Sequence, residues 1–313
     1  MIFGILCAIL LSRGSSLQVL PAVTLRSDDT EISRSCRVVI PKGTTITDRH
    51  GDGVIQITAS GIVVQFVEGA ELCGAAEGTT PDAFKGIGIR IAGHKNVTIL
   101  GGRIRGYWCA IEASDADGLV LEGVDASDNR RARLRSTPAA EDAGDWLWPH
   151  ANDGNEWLAR YGAAISIEGS SGVTVRRCRA RACQNGLILD RVDGSQIYDN
   201  DFSFLSGWGI ALWRSSGNVL SRNAVDFCVR GYSHGVYNRG QTRRGCSCSS
   251  SAAATSSRRT RRPTAGMASS ASPGGRRSGR RAATSPSGTG GAATMTTCSP
   301  AMTSPTRRPT ASR

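Results

Sequence analysis

The first 241 residues of this 313-residue sequence lack the sustained 3.6-residue apolar periodicity of amphipathic helices. Histidine is scarce, with four in all, and no methionine lies between Met1 and Met267. The apolar run Ile2–Leu11 is too short to cross a bilayer but suits the central part of a signal peptide. No Lys or Arg precedes it and no clear cleavage site follows it, so a buried first strand is the alternative. The sequence therefore predicts no transmembrane span, and it assigns residues 1–20 to a signal peptide or an N-terminal cap.

Acidic residues, lysine, aromatics, Val, Leu and Ile are all absent from the C-terminal tail, residues 242–313. The tail contains 13 arginines, so residues 1–241 carry a net charge of −1, the difference between the total of +12 and +13. Such a segment cannot bury enough apolar surface to fold and is predicted to be disordered. Its residue types suit a GC-rich gene read in a shifted frame, and a basic arm is the alternative. The sequence thus predicts no nucleic-acid partner unless the tail is genuine.

The ten cysteines show no metal-site spacing. Three of them lie in the tail, and the other seven form neither a CxxC motif nor a zinc-finger pattern. We expect most of these seven to be buried apolar thiols.

An internal repeat organises the region between the termini. Segments such as "HKNVTILGGRI" and "SSGVTVRRCRA" align on one aliphatic position, with steps of 22, 54, 22 and 23 residues. The residues at this position are Ile99, Leu121, Val175, Ile197 and Leu220. A second set of segments, including "GIRIAG" and "AISIEG", follows the same four steps. Its residues are Ile89, Ile111, Ile165, Leu187 and Ile210. Two ladders with one period predict stacked coils of short strands.

These repeats resemble the right-handed parallel β-helix of the pectin-lyase-like superfamily, from about Val38 to Gln241. The resemblance implies an all-β solenoid over residues 21–241, in a protein that is secreted, periplasmic or on the cell surface and acts as a monomer. It implies no single activity, because the superfamily holds lyases, hydrolases, epimerases and non-catalytic surface proteins. Some β-helix proteins resemble periplasmic factors of copper-site maturation, but the scarcity of His and Met argues against a copper site here.

One long insertion interrupts the repeat. The 54-residue step exceeds one coil by 32 residues, which are residues 130–161. Asn200 and Asn223, one coil apart, are expected to form a side-chain ladder, or else to be simple turn residues. A loop as long as the insertion in a solenoid is usually functional, and the alternative is a lid that packs its tryptophans onto the coils. Its register places it in the same lateral turn as Trp108, Trp208 and the lengthened turn Cys228–Gly235.

Aromatic and charged residues of this turn are the predicted site. Indole faces stack on sugars, so one group is predicted to bind substrate: Trp108, Trp146, Trp148, Trp157, Trp208 and Tyr232. An acid–base set is predicted to pair a carboxylate with a cation or base: Asp128, Asp145, Arg230 and His234. Asp199 and Asp201 are turn formers that could instead hold Ca²⁺.

The predicted ligand is a polysaccharide, and the residues of the predicted site favour an acidic one. Hydrolysis needs two carboxylates, whereas elimination or epimerisation of a uronate needs a cation or metal and a base. The sequence leaves as alternatives a lyase, an epimerase, a hydrolase and a non-catalytic solenoid that either binds carbohydrate or is a structural protein of the cell surface.

Overall fold

The computed structural model describes residues 20–137, 139–140, 142–145 and 147–228, and the backbone of two short strands at 246–249 and 256–258. All strand pairs in it are parallel. No helix among the described residues has the length and apolar character needed to cross a membrane.

Three sheets run along the solenoid. In sheet A, which has nine strands, the order is β1 (Ala22–Thr24), β3 (Cys36–Val39), β5 (Val63–Phe66), β8 (Thr98–Leu100), β11 (Val120–Glu122), β13 (Thr174–Arg176), β15 (Gln196–Tyr198), β17 (Val219–Ser221) and β19 (Ser256–Arg258). In sheet B, which has eight strands, the order is β2 (Thr30–Ile32), β4 (Ile55–Ile57), β7 (Ile87–Ala92), β10 (Cys109–Ser114), β12 (Ala163–Glu168), β14 (Leu187–Asp190), β16 (Ile210–Trp213) and β18 (Cys246–Ser249). The short sheet C pairs β6 (Glu71–Cys73) with β9 (Arg103–Arg105).

The first predicted ladder is confirmed in sheet A. Leu121 is in register with Ile99 on one side and Val175 on the other. Val175 then pairs with Ile197, and Ile197 with Leu220. Their side chains are buried in one continuous apolar core. Because side chains alternate between the two faces of a strand, the residues directly before and after each anchor point outward.

The second predicted ladder is confirmed in sheet B. Ile111 is in register with Ile89 and with Ile165, although 54 residues separate the latter pair. Leu187 and Ile210 continue the column. The chain therefore leaves the solenoid after β11 and returns at β12 without disturbing the stacking.

Amide and hydroxyl side chains line the turns between the sheets. The Asn200 Nδ2 group donates to Asn223 Oδ1 over 2.9 Å, and both side chains are buried. The predicted asparagine ladder is thus confirmed. Asp199 and Asp201, beside it, pair with Arg222 and Arg181, so both carboxylates face cations of the protein itself.

Six of the seven cysteines outside the tail lie in the described residues, and all six are buried free thiols: Cys36, Cys73, Cys109, Cys178, Cys183 and Cys228. The expectation of buried apolar thiols is confirmed for them.

Two strands of the C-terminal tail extend the sheets. β18 pairs with β16, and β19 pairs with β17. These two strands contain seven residues of the tail. The rest of the tail, and residues 1–19, lie outside the described residues.

Candidate functional site

The insertion begins in the predicted turn and folds back over the outer face of sheet B. Arg130 continues the turn ladder, since its N–H donates to the Tyr107 carbonyl and its carbonyl accepts from the Gln184 N–H. A 3₁₀ turn at Ala143–Asp145 and the helix α1 (Glu156–Tyr161) follow. Gly162 ends α1 with a φ of 73°, and a Cβ there would lie 2.8 Å from the Trp108 carbonyl oxygen. Only glycine permits both the conformation and the approach.

A second apolar cluster fixes α1 to the sheet. Trp157 is fully buried, with its ring centroid 4.5 Å from that of Trp208 and 5.4 Å from that of Trp213. The cluster comprises side chains of sheet B, of the turn and of the insertion: Ile87, Cys109, Ala163, Ile188, Ala211, Trp213, Trp208, Leu147, Trp157, Leu158 and Tyr161. The insertion is therefore a packed cover on the solenoid.

Polar contacts fix the other side of the insertion. Asn152 Nδ2 donates to Asp190 Oδ2 over 2.8 Å, and Asp153 Oδ1 accepts from Trp213 Nε1 over 2.8 Å. Asn155 Nδ2 donates to Glu168 Oε2 over 3.1 Å. These three loop contacts fall on the C-terminal ends of the neighbouring strands β12, β14 and β16, so they set where the insertion lies along sheet B.

Asp190 is a buried acid within these contacts. Burial raises the pKa of its carboxyl to about 7, and the neighbouring Glu168 and Asp153 carboxylates add to the effect against the opposing charges of Arg191 and Arg214. Its Oδ1 lies 3.2 Å from Arg191 Nη1 and has no hydrogen bond among the described residues. Relative to the unfolded chain, folding therefore favours the protonated form of this carboxyl.

We expect the stability of the protein to fall as the pH rises from about 4 to about 7. The pKa of Asp190 is higher in the folded chain than in the unfolded chain, so its ionisation favours unfolding across that window. Asp190→Asn should flatten this dependence and raise the free energy of unfolding at pH 8 by at least about 1 kcal/mol. Urea denaturation at several pH values measures it. Asp117→Asn is the control, because the pKa of Asp117 is lowered to about 2, chiefly by Lys95, and its effect belongs below pH 4. Equal pH profiles for wild type and Asp190→Asn would contradict the expectation.

A groove of about 340 Å³ lies where α1 meets sheet B. It is lined by Ile87, Trp108, Glu112, Asn155, Leu158 and Ala159 and by three glycines; we call it the Trp108 groove. Trp108 is half-buried, and its Nε1 donates to the Leu158 carbonyl over 2.8 Å, which fixes the indole. An aromatic face beside a few polar groups in a mostly apolar cleft is the usual make-up of a small-ligand site.

Two glutamates of sheet B lie at the groove: Glu112 lines it, and Glu168 accepts a hydrogen bond from the lining residue Asn155. Burial raises the pKa of Glu112, the Glu168 carboxylate adds to it, and Arg90 opposes it. Glu112 is in register with Ser166, two residues before Glu168, so the Cα atoms of the two glutamates are about 8 Å apart. Glu168 itself accepts hydrogen bonds from Asn155 and Arg191. A glutamate whose pKa is raised by burial thus lies near a second glutamate that accepts two hydrogen bonds.

Asp48 holds part of the backbone that lines the groove. Its carboxylate is buried and accepts hydrogen bonds from the backbone N–H groups of Gly51 and Ile87, both over 2.7 Å. Both of these residues line the groove. Asp48 acts through the backbone it holds, and nothing in the sequence pattern distinguished it from other turn aspartates.

The predicted aromatic residues occupy different environments. Trp157 and Trp208 are buried and hold the cover, Trp108 lines the groove, and Trp148 is 56% exposed with His150 at its ring edge. Trp146 and Tyr232 lie outside the described residues.

The predicted acid–base set is not brought together among the described residues. Asp145 is buried, and its carboxylate accepts the backbone N–H groups of Arg135 and Ser136, so it stabilises the insertion. Asp128 is exposed and pairs with Arg103 over 2.7 Å. Arg230 and His234 lie outside the described residues. Sequence reasoning missed Glu112 and Asn155, although the alternation in "CAIEAS" does place Glu112 on the outer face.

Residues 149–244 match the family described as periplasmic copper-binding protein (NosD). No curated protein and no solved structure matches the chain. The matched segment, as far as the structure describes it, does not fit copper. Burial raises the pKa of Cys178 to about 11 and that of Cys183 to about 12, and both thiols donate to backbone carbonyls. Copper(I) sites need thiolate, thioether or imidazole ligands that converge.

The family match and the parallel sheets indicate the same fold. NosD is a parallel β-helix family of the pectin-lyase-like superfamily, and the described strands stack in parallel on both sides of one core. The described chain is therefore a right-handed parallel β-helix, and its residues 149–244 are similar to a family of the pectin-lyase-like superfamily.

Proposed function

We propose that this chain is an exported β-helix protein, secreted, periplasmic or on the cell surface, that binds an acidic polysaccharide in the Trp108 groove. The observation that carries the proposal is the groove itself, in which a fixed indole lies beside the Glu112 carboxyl and the Asn155 amide. A pyranose ring offers C–H groups to an aromatic face and hydroxyls to carboxyl and amide groups. The periplasmic description of the matching family supports export.

Trp108→Ala is expected to weaken polysaccharide binding by about tenfold or more, because central aromatic contacts carry much of the energy of an interface. Calorimetric titration of the full chain with a panel of acidic and neutral polysaccharides measures this. Trp108→Phe keeps an aromatic face without the hydrogen bond to Leu158, so it should retain more affinity than Trp108→Ala. Circular dichroism shows whether each variant is folded. Absence of binding by the wild type, or equal affinities of the wild type and a folded Trp108→Ala, would refute the proposal.

Hydrolysis is the second candidate function, and the Glu112–Glu168 pair favours it. Glycosidases use a pair of carboxyl groups, one of which donates a proton; burial raises the pKa of Glu112, and Glu168 lies near it on the same face of sheet B. Release of new reducing ends from the same panel would distinguish an enzyme from a binding protein.

A further inference from the structure

The insertion opens with a concentration of positive charge. Residues 129–135 read "NRRARLR", which places four arginines within six positions. Residues 1–241 are close to neutral as a whole, with a net charge of −1. The positive charge at this point is therefore local.

Three of these arginines line one cavity. Arg130, Arg133 and Arg135 surround a space of about 230 Å³ together with Asp82 and Asp145; we call it the arginine cavity. The fourth, Arg131, is exposed and does not line it. A cavity of this size is smaller than the usual pocket for a whole ligand of roughly 300 Å³ or more. It suits one charged substituent of a larger molecule.

The guanidinium groups outnumber the carboxylates around them, although the Asp82 side chain attracts Arg130 and Arg133 electrostatically. Among the described residues, Arg130, Arg133 and Arg135 make no ion pair within 4.0 Å. The Asp145 carboxylate is buried and directed at the backbone N–H groups of Arg135 and Ser136. Asp82 contributes its backbone carbonyl, which accepts from Arg130 Nη1. The lining therefore has a formal net charge of +1, from three arginines against two aspartates.

Arg130 is held against Trp108, and one of its N–H donors has no protein partner among the described residues. Its guanidinium carbon lies 4.5 Å from the centroid of the Trp108 ring, a stacked cation–π contact. Its Nε is buried and has no hydrogen-bond partner among the described residues. Because Trp108 lines the groove and Arg130 lines the arginine cavity, the two cavities are neighbours.

We infer that the arginine cavity binds the anionic substituent, a carboxylate or a sulfate ester, of the polysaccharide whose sugar ring contacts Trp108. Guanidinium groups pair with such planar or multi-oxygen anions through paired hydrogen bonds. The cavity then makes the protein selective for acidic over neutral chains. This inference rests on the proposed function, and it names the charged subsite of the same region.

The test compares the double variant Arg133→Gln/Arg135→Gln with Arg131→Gln as the matched control. Full-length proteins are titrated in 150 mM salt with polygalacturonate, with its methyl-esterified form and with dextran sulfate. The double variant should bind the acidic chains at least about tenfold more weakly, since charge-assisted hydrogen bonds are lost, and the methyl-esterified chain unchanged. Arg131→Gln should bind all three as the wild type does. Whether polygalacturonate or dextran sulfate binds more tightly identifies the anion. Equal losses in the double variant and in Arg131→Gln would overturn the inference, since any surface charge or the arginine-rich tail would then suffice.

Small anions separate a failure of the subsite from a failure of the proposed function. Galacturonate and inorganic sulfate should raise the melting temperature of the wild type and of Arg131→Gln, but not that of the double variant. If no polysaccharide binds while this arginine-dependent shift is seen, the proposed function is wrong and the anion site stands. If the shift is absent, or identical in the double variant, the anion site is wrong.

Discussion

Trp157→Ala is expected to lower the free energy of unfolding by about 3–5 kcal/mol, as large-to-small changes of a buried tryptophan do. The side chain is fully buried between the rings of Trp208 and Trp213. Its Nε1 also donates to the Trp148 carbonyl over 3.1 Å. Alanine would leave a cavity between the insertion and sheet B and a carbonyl without its donor. Urea denaturation followed by circular dichroism measures the loss.

Trp148→Ala is the matched control, because this tryptophan belongs to the same insertion but is 56% exposed. Its effect on the free energy of unfolding should stay within about 0.5 kcal/mol. Local detachment of the insertion would appear as proteolysis within residues 147–161 in Trp157→Ala and not in Trp148→Ala. Similar stability and similar protease resistance of the two variants would show that Trp157 does not anchor the cover.

The same change has a consequence for binding. Leu158 and Ala159 of α1 line the Trp108 groove, and the Leu158 carbonyl holds the Trp108 indole. Loosening α1 therefore removes one wall of the groove and the partner that orients its aromatic residue. The contacts that pack the insertion onto sheet B also build the proposed site. A packed lid and a functional loop are therefore compatible, because different residues of the insertion serve each role.

The solenoid could be predicted because stacked parallel coils require a regular repeat of apolar residues in the sequence. Parallel strands place equivalent residues of successive coils side by side, so a buried column requires an apolar residue once per coil. Ile99, Leu121 and Val175 satisfy this requirement across both a regular step and the long one. The buried asparagine pair follows from the same stacking.

The site was only partly predictable, because the insertion has no repeat to fix its register. Its attachment to the lateral turn could be inferred, because the long step in both ladders shows where the insertion leaves the coil and where it returns. Whether Asp145 faces a ligand or the backbone N–H of Ser136 depends on how the loop closes on itself. The buried face of α1 left a weak signal, because Trp157, Leu158 and Tyr161 have helical spacing. The arginine cavity left a stronger one in the run of arginines, but its use depends on contacts such as that of Arg130 with Trp108.

Leu121→Ala is expected to lower the free energy of unfolding by about 2–5 kcal/mol. Leu121 is fully buried at the centre of its column, in the last strand before the chain leaves for the insertion. Val120→Ala is the control, since Val120 is the neighbouring apolar residue on the outward, half-exposed face. It should cost clearly less, and equal losses would contradict the assigned register.

Pairs of substitutions test the stacking itself. In a solenoid each coil contacts only its neighbours, so changes in adjacent coils should couple and distant ones should add. Leu121 and Val175 are adjacent in the column, whereas Leu121 and Leu220 are separated by two intervening strands. Leu121→Ala/Val175→Ala should therefore deviate from the sum of its single effects by at least about 0.5 kcal/mol, and Leu121→Ala/Leu220→Ala should agree with its sum. Coupling can pass from β11 to β13 only if the coils on either side of the insertion share one core. If the effects of Leu121→Ala and Val175→Ala on the free energy of unfolding were additive, residues 130–161 would separate two independent halves of the solenoid.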